Sequence, residues 1–394
     1  MSVVIEAPYP HYTWPAVDPL LELRVVKQLR RSLSERDRSG VIGEYEERLG
    51  EFFGTKHALS FSSGTCALHA ICVACGLGPG DEVLAPTYTF FATASPFAFE
   101  GVTVKFCDAD AFGNLSVESL RNNVGPATKA VILTHMWGVP CDMRKIVDFC
   151  REHGLRLIED CSHAHLATFE GQQVGTFGDI GVFSTNQKVL TTGEGGFAIT
   201  NDIELFEEML LVGHYNHRCR QELRKGSAHS AYALTGYGLK YRMLPLSAAI
   251  GLHQLERLDE IEDRRRANYQ VLARAVESTD LFQVPTPAYA HEHGLYVFSF
   301  LVREGVANQR DTVVAHMQGL GGAEFDAPGS TKPIHNEPLF CQGRSGKPLT
   351  PTNASFPGAD DFYRRLIKCP LWGYTGDEAF VQGYAQIIGM SGQR

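Results

Sequence analysis

The chain has 394 residues, 44% hydrophobic and 21% charged, with a formal net charge of −9. A chain of this length can bury a large core. Its acidic balance argues against bulk nucleic-acid or anionic-membrane binding, which call for a basic surface. The ten cysteines lack the paired spacing of a zinc framework. With no secretion signal, that many thiols point to a reducing cytoplasm, and no run of about 18 apolar residues is present to span a membrane.

Residues 1–16 carry three prolines and several aromatics, which predicts an extended arm. Asp18 is placed to cap a helix running to about Glu35, and a second helix is expected from Gly43 to Phe53, with Tyr45, Leu49 and Phe52 on one face. His57–Phe61 reads as a strand. Ser62, Ser63, Gly64 and Thr65 then turn into the apolar helix CALHAICVACG. Within that run Cys72 and Cys75 read as packing residues. A strand, a glycine-containing turn and a helix start form an anion cradle, since free amides and the helix dipole favour phosphate. The same residues also suit an ordinary helix cap. Residues 82–86 are strand-like, and Thr87–Phe90 is expected to open the next helix.

Val102–Phe106 and Lys129–Leu133 read as strands, each followed by a helix, at 116–123 and 142–152. Strands alternating with helices predict a mainly parallel sheet covered on both faces. His135 and Trp137, after the second of these strands, are expected to be structural. Leu155–Ile158 forms a short, mostly apolar run that ends in Glu159 and Asp160. Ligands of open α/β sheets sit beyond the carboxyl ends of strands, so a carboxylate there can face one. Asp179–Ser184 is a further strand. Lys188 follows four residues after Ser184, and TTGEGG after that is too rich in glycine for a helix. A carboxylate and a lysine just past strand ends suit pyridoxal phosphate (PLP) chemistry. That chemistry uses an amine for a Schiff base and an acid that keeps the pyridine nitrogen protonated.

The order IEDCSHAH, VGTFGDIGVFS, Lys188, TTGEGG resembles the DegT/DnrJ/EryC1/StrS family of PLP-dependent aminotransferases acting on keto-sugars and keto-cyclitols. The likeness runs from about Gly43 to Leu258 and more weakly to the C-terminus. It implies an α/β fold of type I, like aspartate aminotransferase, with a smaller α+β domain behind it. It also implies catalytic roles for Lys188 and Asp160. Ser63, Gly64 and Thr65 would cradle the cofactor phosphate, and Phe90 would stack on its pyridine ring. His163 stands where glutamine is common and would bond the phenolic oxygen. The chain departs from the family at Ser184, which lies four rather than five residues before the lysine. Either it still serves the phosphate, or Thr65 and Lys240 carry more of that task. Lys240 replaces a frequent asparagine that reaches the neighbouring subunit's phosphate in a homodimer, and a lysine serves there as a point charge. The donor implied is L-glutamate or L-glutamine.

After Phe197–Thr200 (strand) and Ile203–Val212 (helix), residues 213–235 show no apolar period and are expected to be a long surface loop. A long helix follows Pro245. A change of character near Arg266 suggests domains of 1–262 and 263–394, the second with a strand at Tyr296–Leu301, a helix near 309–318, a mobile loop at Gly319–Thr331 and a terminal helix. Two alternatives accompany the aminotransferase reading. One is a sugar dehydratase of the same family; the other is a non-catalytic regulatory or scaffold protein on the same fold. The presence of Lys188 and the lack of clustered late cysteines weigh against the first. Intact Asp160, Lys188 and SGT weigh against the second.

Overall fold

The computed structural model of the chain describes residues 17–214, 216–287, 292–343 and 355–392. The N-terminal arm expected at 1–16 lies outside them. Seven strands form one sheet: β1 (His57–Phe61), β2 (Glu82–Pro86), β3 (Thr103–Cys107), β4 (Thr128–Thr134), β5 (Arg156–Asp160), β6 (Ile180–Ser184) and β7 (Gly196–Thr200). Their order is β1-β7-β6-β5-β4-β2-β3. Strand β7 runs antiparallel to both neighbours, and the remaining pairings are parallel.

Alternate residues of each strand serve opposite faces. Ala130 and Ile132 of β4 join a core with helix α3 (Gly64–Ala74), whereas Val131 and Leu133 join one with helix α4 (Met143–His153). Burial on both sides explains the near-continuous apolar strands. Helix α4 shows how locally this is encoded. Asp142 caps it by accepting from the Lys145 amide, and Gly154 ends it in a left-handed turn at φ 64°. Met143, Ile146 and Phe149 between them are buried, each worth about 1.5–3 kcal/mol of transfer from water.

Several boundaries differ from expectation. The first helix spans Pro19–Arg31, capped by Asp18 as its sequence predicts, and stops short of Glu35. The second spans Val41–Phe53 and buries Tyr45, Leu49 and Phe53, leaving Phe52 half-buried. The long helix after Pro245 is two helices, Pro245–Glu256 and α5 (Leu258–Glu277), broken at Arg257, whose side chain pairs with Asp18 and Glu260.

Residues 213–235 are not one irregular loop. They contain a helix at His217–Glu222 and a 3₁₀ turn at Ala228–Tyr232. The segment is anchored by Arg218, which is buried and paired with Glu46 at 2.6 Å and Glu222 at 2.6 Å. Burial alone would lower its pKa, but Glu46 and Glu222 more than offset this and raise it. An arginine hidden by pairing carries no apolar signature, so the sequence pattern misses it.

Beyond α5, β8 (Phe282–Gln283), β9 (Val297–Val302) and β10 (Leu366–Pro370) form an antiparallel sheet in that order. Helix α5 and the terminal helix Glu378–Ser391 pack over it on a core that includes Leu272, Phe298, Phe300, Tyr384 and Ile388. The stretch expected to be a mobile loop, Gly319–Thr331, is held to this sheet. Phe325 is fully buried, and Asp326 exchanges both backbone hydrogen bonds with Lys368 at 2.9 Å.

Candidate active site

The carboxyl ends of β2, β4, β5 and β6 converge on one region. Asp160 closes β5 and is buried. Its Oδ2 accepts from the Thr93 hydroxyl at 2.8 Å, and its Oδ1 accepts from the Ser162 amide at 3.0 Å. Thr93 belongs to a buried hydroxyl cluster with Thr89 and Thr134. A carboxylate offers about four acceptor positions, so Asp160 retains capacity for another donor. Its neighbour Glu159 points the other way, as strand alternation requires. Glu159 accepts from the amides of Gly175 (2.8 Å), Phe177 (2.8 Å) and Gly178 (2.6 Å) and lies 3.3 Å from His135 Nε2. His135 is thus structural, as expected.

Thr87–Phe90 does not open a helix. Tyr88 and Thr89 pair instead with Lys332 and Pro333 in a two-stranded ribbon, and a 3₁₀ turn follows at Phe91–Thr93. This ribbon partner lies far off in sequence. Phe90 is 38% exposed and its ring packs on Phe91.

Gly64 begins α3, and Ser63 caps it by accepting from the Cys66 amide at 3.0 Å. A Cβ added to Gly64 would lie 2.9 Å from Ser184 Cβ, and one added to Gly196 would lie 2.4 Å from Gly64 N. These glycines let the end of β6 and the start of β7 press against the helix N-terminus. Ser184 therefore sits beside the cradle despite its shortened spacing to Lys188. Thr65 is exposed at the helix start. Lys240 is also exposed, and the following Tyr241 accepts from Ser62 N at 2.7 Å, which runs this segment past the same turn.

The loop carrying Lys188 is pinned by His165. The His165 Nε2 donates to the Ser184 carbonyl at 2.9 Å, and its Nδ1 accepts from the Leu190 amide at 3.2 Å. These bonds fix the neutral tautomer, and burial together with the Lys188 charge pushes its pKa down to about 3. Lys188 Nζ donates to the Tyr296 hydroxyl at 3.0 Å and lies 4.3 Å from that ring's centroid. Tyr296 stacks on His163 at 4.4 Å, and His163 stacks on Trp137 at 5.2 Å. Trp137, at φ 55°, donates to the Tyr88 hydroxyl at 3.0 Å, so it forms a fixed wall. His163 is held neutral by burial and then by Lys188, and its Nδ1 is buried with no partner among the described residues.

Asp160, His163, Ser184, Lys188, Ser63 and Gly64 are thus brought to one end of the sheet. Ser184 N donates to Ser162 Oγ at 3.2 Å and ties the Asp160 and Lys188 segments together. Thr93, His165 and Tyr296 were not read from the sequence as site residues. His165 lies two positions from His163 in a buried turn, and no local pattern in the sequence sets it apart. Tyr296 lies 108 positions from Lys188, and nothing near it in sequence marks it.

A group with an anionic tail, a cationic ring nitrogen and a carbonyl fits these residues. The helix N-terminus suits the tail, the buried Asp160 suits the nitrogen, Lys188 suits the carbonyl, and His163 Nδ1 is left without a partner among the described residues. The sheet order, with a single antiparallel strand and this constellation at the strand ends, defines a fold-type-I PLP-dependent transferase. The sequence profile of the DegT/DnrJ/EryC1/StrS aminotransferase family matches residues 25–383.

The chain belongs to that family and is an aminotransferase. It is 32% identical to the GDP-perosamine synthase of Escherichia coli O157:H7 over 343 residues, covering 86% of this chain and 87% of that protein. It is 35% identical to the L-glutamine:2-deoxy-scyllo-inosose aminotransferase of Streptomyces kanamyceticus over 400 residues, covering 97% and 93%. Among solved structures, an aminotransferase from Psychrobacter cryohalolentis superposes with a TM-score of 0.85 at 27% identity, covering 96% of this chain and 98% of that one. The dehydratase alternative is not favoured. An E. coli GDP-4-keto-6-deoxy-D-mannose-3-dehydratase, with a TM-score of 0.83 and 22% identity, shares the fold alone. No helix of the described residues is long and apolar enough to cross a membrane.

Proposed function

We propose that the chain binds PLP and moves an amino group from L-glutamate or L-glutamine to a keto-sugar or keto-cyclitol, in amino-sugar or natural-product biosynthesis. The observation that carries this reading is the convergence of Lys188 and Asp160 on one end of the sheet. The names of relatives that act on a sugar nucleotide and on a cyclitol support it. When bound, the cofactor supplies an electron sink for the bond broken at the donor's α-carbon.

The chain's own residues hold and protonate. Asp160, kept in place by Thr93 and Ser162, holds the proton on the pyridine nitrogen. Lys188 would be the covalent anchor, and its amine would take up and return the proton of the donor's α-carbon. Ser63, Gly64, Thr65 and Ser184 hold the phosphate. His163 would bond the phenolic oxygen, and Phe90 would cover the ring face. The large unit, 1–262, carries these groups, and the unit 263–394 brings Tyr296 against Lys188.

The active assembly is a homodimer in the cytoplasm, with Lys240 of each subunit serving the other subunit's phosphate. Two experiments test this. Enzyme in the pyridoxamine form is offered a panel of keto-sugars, nucleotide-linked and free, and keto-cyclitols. Return of the aldehyde-form absorbance with none of them sinks the acceptor class. Lys188→Ala chains are then mixed with Lys240→Ala chains. Activity above both parents supports shared sites, whereas none despite proven subunit exchange places Lys240 outside the partner's site.

A further inference from the structure

We propose that Tyr296 is a catalytic residue, the proton partner of Lys188, so that amine and phenol act as one proton-carrying pair. This rests on the reading of Lys188 as proton carrier. The geometry is direct. Nζ donates to the phenolic oxygen at 3.0 Å while also lying 4.3 Å from the ring centroid. The ring is clamped flat against His163, and its backbone is fixed by Arg265, which donates to the carbonyls of Leu295 at 2.9 Å and Tyr296 at 3.3 Å. The hydroxyl thus has little freedom to leave the amine.

The step balances without a co-reactant. An ammonium at Lys188 beside a Tyr296 phenolate becomes a neutral amine beside a phenol. One N–H bond breaks, one O–H bond forms, and no charge leaves the site. The neutral amine is the form that abstracts the donor's α-proton, and reversal returns the proton.

The surroundings support this exchange. The groups facing the phenol are Lys188, His163, Lys368 and Arg265. His163 is held neutral by burial. Burial alone would push the phenol up, but the Lys188 charge and bond, with Lys368 and Arg265, bring it below its ordinary value. Lys368 is paired with Asp326 at 2.9 Å, which leaves Lys188 as the cation bonded to the phenol.

Two measurements test the pair. In cofactor-free protein, the tyrosinate absorbance titration of Tyr296→Phe is subtracted from that of the wild type. The expected difference is one tyrosine ionising below the ordinary value of about 10, and Lys188→Ala moves that transition upward. A missing tyrosine that ionises at or above the ordinary value overturns the proposal.

In the loaded enzyme, single-turnover reaction with L-glutamate or L-glutamine is followed against pH. Tyr296→Phe keeps the ring against His163 and removes only the oxygen. It is expected to slow the turnover roughly hundredfold, with donor affinity retained and the pH limb displaced. A slowed rate with an unmoved pH limb marks Tyr296 as packing only and also overturns the proposal. If the wild type reacts with neither donor, the functional reading fails, and the titration still decides whether the pair exists.

Discussion

His165 gives the most direct test of how the fold holds Lys188. Replacing it with alanine strips the Ser184 carbonyl and the Leu190 amide of their shared partner, and both flank the lysine loop. Leaving a buried polar group unpaired costs about 1–3 kcal/mol each. The ring also packs on Phe183 at 5.5 Å and Phe197 at 6.3 Å, so a cavity adds to the loss. The two unpaired groups alone come to roughly 2–6 kcal/mol before the cavity is counted, a large share of the about 5–15 kcal/mol that holds a typical domain. His165→Gln retains one of the two bonds and is expected to lose about half as much. Urea unfolding of the cofactor-free protein reads the stability, and borohydride-fixed cofactor on Lys188 reads the loop. A loss below about 1 kcal/mol with full cofactor attachment refutes the clamp.

Lys188→Ala is expected to bind the cofactor without covalent attachment and to lose transamination; near-wild-type turnover removes the lysine from the mechanism. Asp160→Asn is expected to keep the fold and lose most activity, because an amide cannot hold a pyridinium charge; an unchanged donor half-reaction reduces Asp160 to a strand-end residue. Gly64→Ala drives a Cβ to 2.9 Å from Ser184 Cβ, and overpacking of this kind costs about 1–3 kcal/mol. Its expected readout is a raised dissociation constant for the cofactor, and an unaltered one rules out the cradle contact. Finally, His163, His165 and His214 are depressed by burial. The unfolded chain protonates below about pH 6.5 while these folded sites stay neutral, so stability is full above that value and falls as pH drops toward each folded pKa. For His165 the loss at pH 5 is about 2 kcal/mol. Urea midpoints at pH 7 and pH 5 measure it, and His165→Gln removes that portion of the slope.

The parallel core strands were legible because short apolar runs alternate with helical patterns. The ends of β5 and β6 were legible because a carboxylate and a lysine interrupt those runs beside a glycine-rich segment. What the sequence hid has a common cause, namely dependence on distant partners. Tyr88 reads as part of a helix start until Pro333 arrives to pair with it. Arg218 reads as surface until Glu46 buries it. Thr93 is one hydroxyl among many until Asp160 accepts from it. The ion pair of Arg257, at the break between the two helices, reaches Asp18 far back in the chain, which no helical period reveals.

The adjacent carboxylates of β5 divide their work by direction alone. Glu159 ties down the turn at Gly175–Gly178, and Asp160 faces the site. A saturation library scored only on activity would flag both positions as intolerant and merge them into one functional hotspot. A melting-temperature screen would part them, because variants at 159 would lose the turn and the fold with it, while those at 160 would stay folded and silent. Anyone retuning such an enzyme would therefore leave the backward-facing acid fixed and vary only what lies on the forward face of the strand.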